Sequence, residues 1–284
     1  MDILWLGEEA CHDVAFTGGK AANLSLLSST HPVPPGFCVT TAAYGKWESN
    51  GKSASCPPDF QQQLKTAWDR LESECEGACR VAVRSSAVDE DGQQASFAGQ
   101  YETFLNVEGL EALADAVMRC WASAETERAI HYRETRAGLK GEAGLAVLVQ
   151  RLVPADASVV AFSANPVTGS RDEVVINSAW GLGESVVGGT VTPDTFVVGK
   201  KDLSVTKEEI ADKTRMTVSV AGGTEEVSVP GFMRKTPSLD SDRITEIARL
   251  ALDLEKQFGY PVDLECAVAE GQLYLLQCRP VTTV

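Results

Sequence analysis

Near Leu145 the period of the apolar pattern changes, and that switch most restricts the folds open to this chain. Before it, from Asp59 to about Cys75 and from Glu108 to about Arg136, apolar residues recur at helical spacing with charges between them, which predicts amphipathic helices. After it come short β-rich runs at 145–153, 158–164, 173–178 and 194–198, punctuated by Asn165-Pro166 and by Gly181, Gly183, Gly188 and Gly189. A last helix is expected from about Ser241 to Phe258, with Ser241 as N-cap and Gly259 and Pro261 beyond its end. Strands at 261–269 and 272–279 follow it. Residues 200–237 are polar and weakly patterned; Ala221-Gly222-Gly223-Thr224 reads as a hairpin turn, and the stretch shows no chemistry of its own. No repeat or flexible linker separates the halves, so the expectation is an α+β fold in two packed parts, 1–145 and 146–284, with a ligand cleft between them.

Charge narrows the partners. Lys and Arg total 25 against 40 Asp and Glu, a net charge of −15, so the basic footprint of a nucleic-acid binder is missing. An anionic ligand must then be held by a few local cations, helix ends or a metal. The N-terminal run Ile3-Leu4-Trp5-Leu6 lacks a basic flank and is too short for a signal peptide, and no later segment approaches a membrane span, so a cytoplasmic enzyme is expected. The eight cysteines then read as buried thiols. Cys75 and Cys79 are four apart and are expected on a helix, but no nearby His or second Cys pair completes a metal site. His12, His31 and His131 sit in no glycine- or serine-rich loop, and no Gly-x-Ser-x-Gly, His-Glu-x-x-His or complete P-loop pattern is present.

Three places carry phosphate or metal chemistry. Lys20 follows Gly18-Gly19 at a helix start, where a lysine reaches a phosphate that backbone amides also hold. Arg84 ends the alternating run Val81-Ala82-Val83 and precedes Ser85-Ser86, a strand end from which a guanidinium makes bidentate contacts to phosphate oxygens. A structural ion pair of Arg84 with Asp89, Glu90 or Asp91 is the competing explanation. In the C-terminal strand pair, Asp263 and Glu265 share one face while Val262, Leu264, Cys266 and Val268 take the other. A three-residue connection, Glu270-Gly271-Gln272, places Glu265 opposite Gln277 and Asp263 opposite Arg279; a two-residue turn at Glu270-Gly271 sends Glu265 and Gln277 to opposite faces. A carboxylate beside an amide oxygen, with an arginine one step along, suits Mg²⁺ bridging polyphosphate oxygens; a hydrogen-bonded polar patch is the alternative.

In this order the pieces resemble the N-terminal nucleotide-binding domain of the pyruvate phosphate dikinase and phosphoenolpyruvate synthase superfamily, which includes the rifampin phosphotransferases. The likeness runs through Gly18-Gly19-Lys20-Ala21-Ala22-Asn23-Leu24, Val33-Pro34-Pro35-Gly36-Phe37, Val83 to Gln100, Phe162-Ser163-Ala164-Asn165-Pro166, Gly181-Leu182-Gly183-Glu184, Val191-Thr192-Pro193-Asp194 and Leu276-Gln277-Cys278-Arg279-Pro280. It implies an ATP-grasp fold in which two lobes clamp ATP. By that resemblance Lys20 and Arg84 bind phosphates with Thr103 close by, Gln150, Leu152 and Val153 line the adenine pocket, Glu265 and Gln277 hold Mg²⁺, and Arg279 stabilises the transferring phosphoryl group. Cys266 departs from the family's frequent tryptophan. Full-length members continue into a swivelling domain whose histidine accepts the phosphoryl group, and then into an acceptor-substrate domain.

The function so implied is the ATP-binding component of a dikinase-type phosphotransferase, cleaving Mg-ATP to AMP and passing a phosphoryl group to a histidine on a partner protein or further domain, with neither nucleic acid nor membrane as partner. The alternatives are a stand-alone ATP-grasp enzyme phosphorylating a small carboxylate or guanidine-type acceptor with ADP release, for which the loop from Gly181 to Asp194 is the acceptor candidate, and a non-catalytic nucleotide sensor.

Overall fold

A computed structural model describes residues 1–53, 56–88, 102–124, 126 and 144–281. The acidic trio Asp89-Glu90-Asp91, the loop Ser96–Gln100, His131 and the later part of the helix expected to reach Arg136 lie outside the described residues. The chain divides into two compact units, Met1–Thr30 with Pro34–Leu152, and His31–Val33 with Val153–Val284.

The first unit holds an antiparallel five-stranded sheet. Its strands are β1 (Ile3–Trp5), β2 (Gly36–Val39), β3 (Arg80–Ala87), β4 (Thr103–Glu108) and β5 (Leu145–Arg151), in the order β1-β2-β5-β3-β4. Alternation sorts its faces. Phe37, Val39, Val81, Val83, Val147 and Val149 pack with aromatics from α2 (Thr41–Ser49), α3 (Pro58–Ser73) and α4 (Leu110–Ser123). The opposite face meets α1 (Val14–Leu27), where Thr17 O accepts from Ser86 Oγ at 2.7 Å and Cys38 Sγ at 3.5 Å. The unit boundary falls at Leu152/Val153 rather than at 145/146, because β5 is bonded on both edges within this sheet, to β2 and β3. The apolar run after Leu145 is a buried central strand, and its β character says nothing about which unit it joins.

The second unit is built on a six-stranded antiparallel sheet of order β13-β12-β6-β7-β8-β9. Its strands are β6 (Ala157–Phe162), β7 (Glu173–Trp180), β8 (Asp194–Gly199), β9 (Val205–Glu209), β12 (Val262–Ala269) and β13 (Gln272–Pro280). A separate hairpin joins β10 (Arg215–Val220) to β11 (Gly223–Ser228) through Ala221-Gly222, as expected. A short α5 (Glu184–Val187) follows β7. The long α6 (Ser241–Phe258) packs against β6, β7 and β12, burying Ile244, Ile247, Ala251 and Leu254. Its N-cap is Asp240, one residue before the expected Ser241: the Asp240 carboxylate accepts from Arg243 N at 2.8 Å, and Gly259 closes the helix at φ 76°.

The polar stretch expected to be inert contains Lys213, fully buried. Its Nζ donates to Asp194 Oδ1 at 2.5 Å, while Asp194 Oδ2 accepts from Ser238 N and Oγ, each at 2.8 Å. That network secures the start of β8. All eight cysteines are free thiols, and burial pushes the Cys11 thiol up to about 11. Among the described residues no cluster of three or more His, Cys, Asp or Glu side chains gathers, and no helix is long and apolar enough to cross a membrane.

Candidate functional site

The first group of candidate residues forms where α1 meets β3. Helix α1 breaks at Gly18, whose φ of 70° and ψ of 170° are non-helical. An added Cβ there would lie 2.0 Å from Ser86 O, so only glycine permits this approach. Ser86 Oγ accepts from Ala21 N at 3.1 Å, fixing the restarted helix to the strand. Lys20 is thereby drawn onto β3, 9% exposed, with Nζ donating to Ser85 O at 3.2 Å. Arg84, the neighbour of Ser85, is half-buried and pairs across the ladder with Thr103 on β4. Direct cross-strand partners project to the same face, so Arg84 and Thr103 stand side by side near Lys20.

Gln150 lies in the interior of the first unit's sheet, on β5. It is 2% exposed and its Nε2 donates to Pro34 O at 3.2 Å, which ties β5 to the chain entering β2. Leu152 N donates to Arg80 O at 2.8 Å. Across the unit boundary in sequence, Val153 is buried in a small cluster with Ala267 and Ala269.

The second group lies on β12 and β13. The turn is two residues, Glu270-Gly271, with Ala269 opposite Gln272 and φ values of 50° and 70° at the turn. Two left-handed residues give the hairpin geometry that matches strand twist. By itself that turn would separate Glu265 from Gln277. A β-bulge reverses the phase: Cys266 faces Leu275 whereas Glu265 faces Gln277, leaving Leu276 as the extra residue. Glu265–Gln277 and Asp263–Arg279 are therefore paired as expected, by a route the three-residue connection did not anticipate.

These pairs extend into rows across the sheet. Gln277, Glu265, Val160, Asn177 and Thr195 form one row, and Arg279, Asp263, Phe162 and Val175 the next. Leu264, Ala161, Ile176 and Phe196 occupy the alternate row and are fully buried. A cavity of about 350 Å³ opens on the polar row, lined among others by Asn177, Val187, Pro193, Asp263, Glu265 and Arg279. Asn177, which sequence reasoning missed, accepts from Thr195 Oγ1 at 2.9 Å and faces this cavity. The cross-strand register from Glu265 would have found it.

Electrostatics concentrate here. Arg279 Nε and Nη2 both donate to Asp263 Oδ2, at 2.8 and 2.7 Å. The other oxygen, Oδ1, is buried with no hydrogen-bond donor among the described residues. Desolvation raises the Asp263 pKa above the ordinary carboxylate value, with the Glu265 charge adding to the rise, although Arg279 opposes both. Two carboxylates on neighbouring rows of one face, one with an unsatisfied oxygen, beside a buried amide (Gln277, 2% exposed) form an oxygen-only donor set that suits a hard divalent cation such as Mg²⁺.

A family model described as pyruvate phosphate dikinase, AMP/ATP-binding domain, matches residues 51–284. A probable phosphoenolpyruvate synthase of Methanocaldococcus jannaschii is 38% identical over 99% of this chain and 27% of its own length. The phosphoenolpyruvate synthase of Pyrococcus furiosus is 33% identical over 99% of this chain and 44% of its own. The prodigiosin synthesizing transferase PigC of Serratia marcescens is 37% identical over 94% of the chain and 31% of its own. The chain thus spans less than half the length of these relatives. Among solved structures, D-alanyl-alanine synthetase A from Vibrio cholerae matches over 93% of this chain at 14% identity and a TM-score of 0.37, a level that fixes no detail of the site.

Proposed function

The chain belongs to the pyruvate phosphate dikinase AMP/ATP-binding domain family, and from that premise we propose that it is the ATP-binding component of a dikinase-type phosphotransferase, of ATP-grasp type. The observation that carries this reading is the pairing of Glu265 with Gln277 and of Asp263 with Arg279 on one open sheet face beside a cavity. In it, Lys20 and Arg84 neutralise phosphate charge from the first unit, with Thr103 beside Arg84, and Leu152 and Val153 line the adenine pocket. Gln150 lines it with them, its Nε2 bonded to Pro34 O. Glu265 and Gln277 hold Mg²⁺, which when bound supplies charge neutralisation at the phosphate oxygens. Asp263 orients the Arg279 guanidinium toward the transferring phosphoryl group, and positioning with charge compensation supplies the catalysis.

The acceptor is a histidine on a further domain or partner protein, which takes the β-phosphoryl group, while the γ-phosphoryl group goes to water as inorganic phosphate and AMP remains. The test incubates the chain with Mg-ATP and the histidine-bearing remainder of one of the phosphoenolpyruvate synthases it resembles. AMP formation together with an acid-labile phosphohistidine is the expected result. ADP as the sole product would overturn it and favour direct transfer to a small acceptor. Glu265→Gln should retain the fold and lose the Mg²⁺ dependence of ATP binding.

A further inference from the structure

We propose that the first unit carries a second small-molecule site, on the sheet face opposite Lys20 and Arg84, that takes a neutral planar aromatic carboxamide. A cavity of about 340 Å³ lies among α2, α3, α4 and the start of the chain, within the size range of small-ligand pockets. Its aromatic walls are Trp47, Phe60 and Trp121, with ring centroids 5.5 Å apart for Trp47–Trp121 and 5.3 Å for Phe60–Trp121. Flat rings favour a flat ligand. Trp121 is 1% exposed, yet among the described residues its Nε1 has no hydrogen-bond partner. An indole N–H can only donate, and a buried donor without an acceptor is costly, so an entering carbonyl is favoured there.

Charge selects further. The Asp2 carboxylate on the cavity wall is already taken, by Lys46 Nζ at 2.7 and 2.9 Å and by Gln63 Nε2 at 3.1 Å. Asp59 lines the same cavity with no ion pair to any other described residue. Its charge disfavours an anion and suits an N–H donor. A carboxamide on an aromatic ring supplies both complements: a carbonyl for Trp121 and an N–H for Asp59. Trp121 clusters with Val83 and Val149, whereas Arg84 and Leu148 alternate to the other face of the sheet, so the sheet separates this cavity from the Lys20 group.

The probe is nicotinamide, titrated into the whole chain, with benzene as a ring lacking acceptor and donor. The five tryptophans give five indole N–H resonances, and Trp121→Phe, which keeps the ring wall, identifies the one that matters. Nicotinamide should move that resonance downfield saturably, with or without ATP, and benzene should not. In Trp121→Phe the nicotinamide affinity should fall about tenfold while benzene is unaffected. If that variant does not fold, Trp→Phe changes at the other four positions assign the resonance by elimination, and the nicotinamide-against-benzene comparison stands on the parent chain. The proposal is overturned if nicotinamide moves no indole resonance, if benzene binds equally well with the same shift, or if ATP displaces the nicotinamide.

Discussion

Replacing Gly18 with alanine tests the junction that brings Lys20 onto β3. The residue sits at φ 70°, ψ 170°, a region that is essentially glycine-only and costs other residues about 1–3 kcal/mol. The new Cβ would also lie 2.0 Å from Ser86 O and 2.4 Å from Ser86 C, backbone atoms that no rotamer change can move. Reaching an ordinary contact of 3.4 Å from 2.0 Å needs a displacement of about 1.4 Å between α1 and β3. That shift loosens the bonds from Lys20 Nζ to Ser85 O and from Ala21 N to Ser86 Oγ, each worth about 1 kcal/mol. The expected loss is about 3–5 kcal/mol, a large share of a typical domain's stability, accompanied by weaker ATP binding. Urea unfolding followed by fluorescence measures the first, and calorimetric titration the second. Gly45→Ala is the control: no atom lies within 4 Å of its added Cβ inside α2, so it should stabilise by about 0.5–1 kcal/mol. A Gly18→Ala protein within about 1 kcal/mol of the parent would refute the reasoning, because the backbone strain alone exceeds that.

Lys213→Met should destabilise the second unit by about 3–5 kcal/mol, since it leaves Asp194 charged and buried; a thermal or urea midpoint close to the parent's would contradict this. Asp263→Asn addresses the raised carboxylate pKa. A folded-state pKa above the unfolded value means the native state binds the proton more tightly, so the parent loses stability as pH rises from about 3.8 through the folded pKa. Asn cannot titrate, so the parent's stability minus the variant's should fall over that window in urea unfolding without Mg²⁺, and a difference independent of pH would rule the account out.

The second unit was largely legible from the sequence, because its strands are short, apolar and bounded by Gly and Pro: the runs at 158–164, 173–178 and 194–198 correspond to β6, β7 and β8. Helix α6 carries its stop signal in Gly259 and starts at Ser241 as expected, but its N-cap is one residue earlier because Asp240 and Ser241 are both competent caps. The Lys213–Asp194 pair was not legible. The two residues lie 19 apart with no periodic relation, and a lysine in a polar hairpin region gives no sign that it will be fully buried. Leu152 and Val153 were read as one segment, although contacts divide them between the units. Compactness depends on which strand edges find partners, and single-sequence patterns do not state that.

A trace of the bulge was present in β13. Its buried apolar residues fall on odd positions, Leu273 and Leu275, and then on even ones, Cys278 and Pro280. That change of parity is what an extra residue at 276 requires.

The bulge also acts as an insulator. With eleven residues between Glu265 and Gln277, a two-residue tip plus one bulge residue, or a three-residue tip without a bulge, leave those two side chains facing one another. Sliding the defect from Leu276 toward the tip re-pairs only Cys266–Ala269 with Gln272–Leu275, while the base of the hairpin stays anchored by the β6–β12 ladder. Slippage at the hairpin end is thus absorbed before it reaches the four polar side chains, whose relative placement is independent of how the tip is closed.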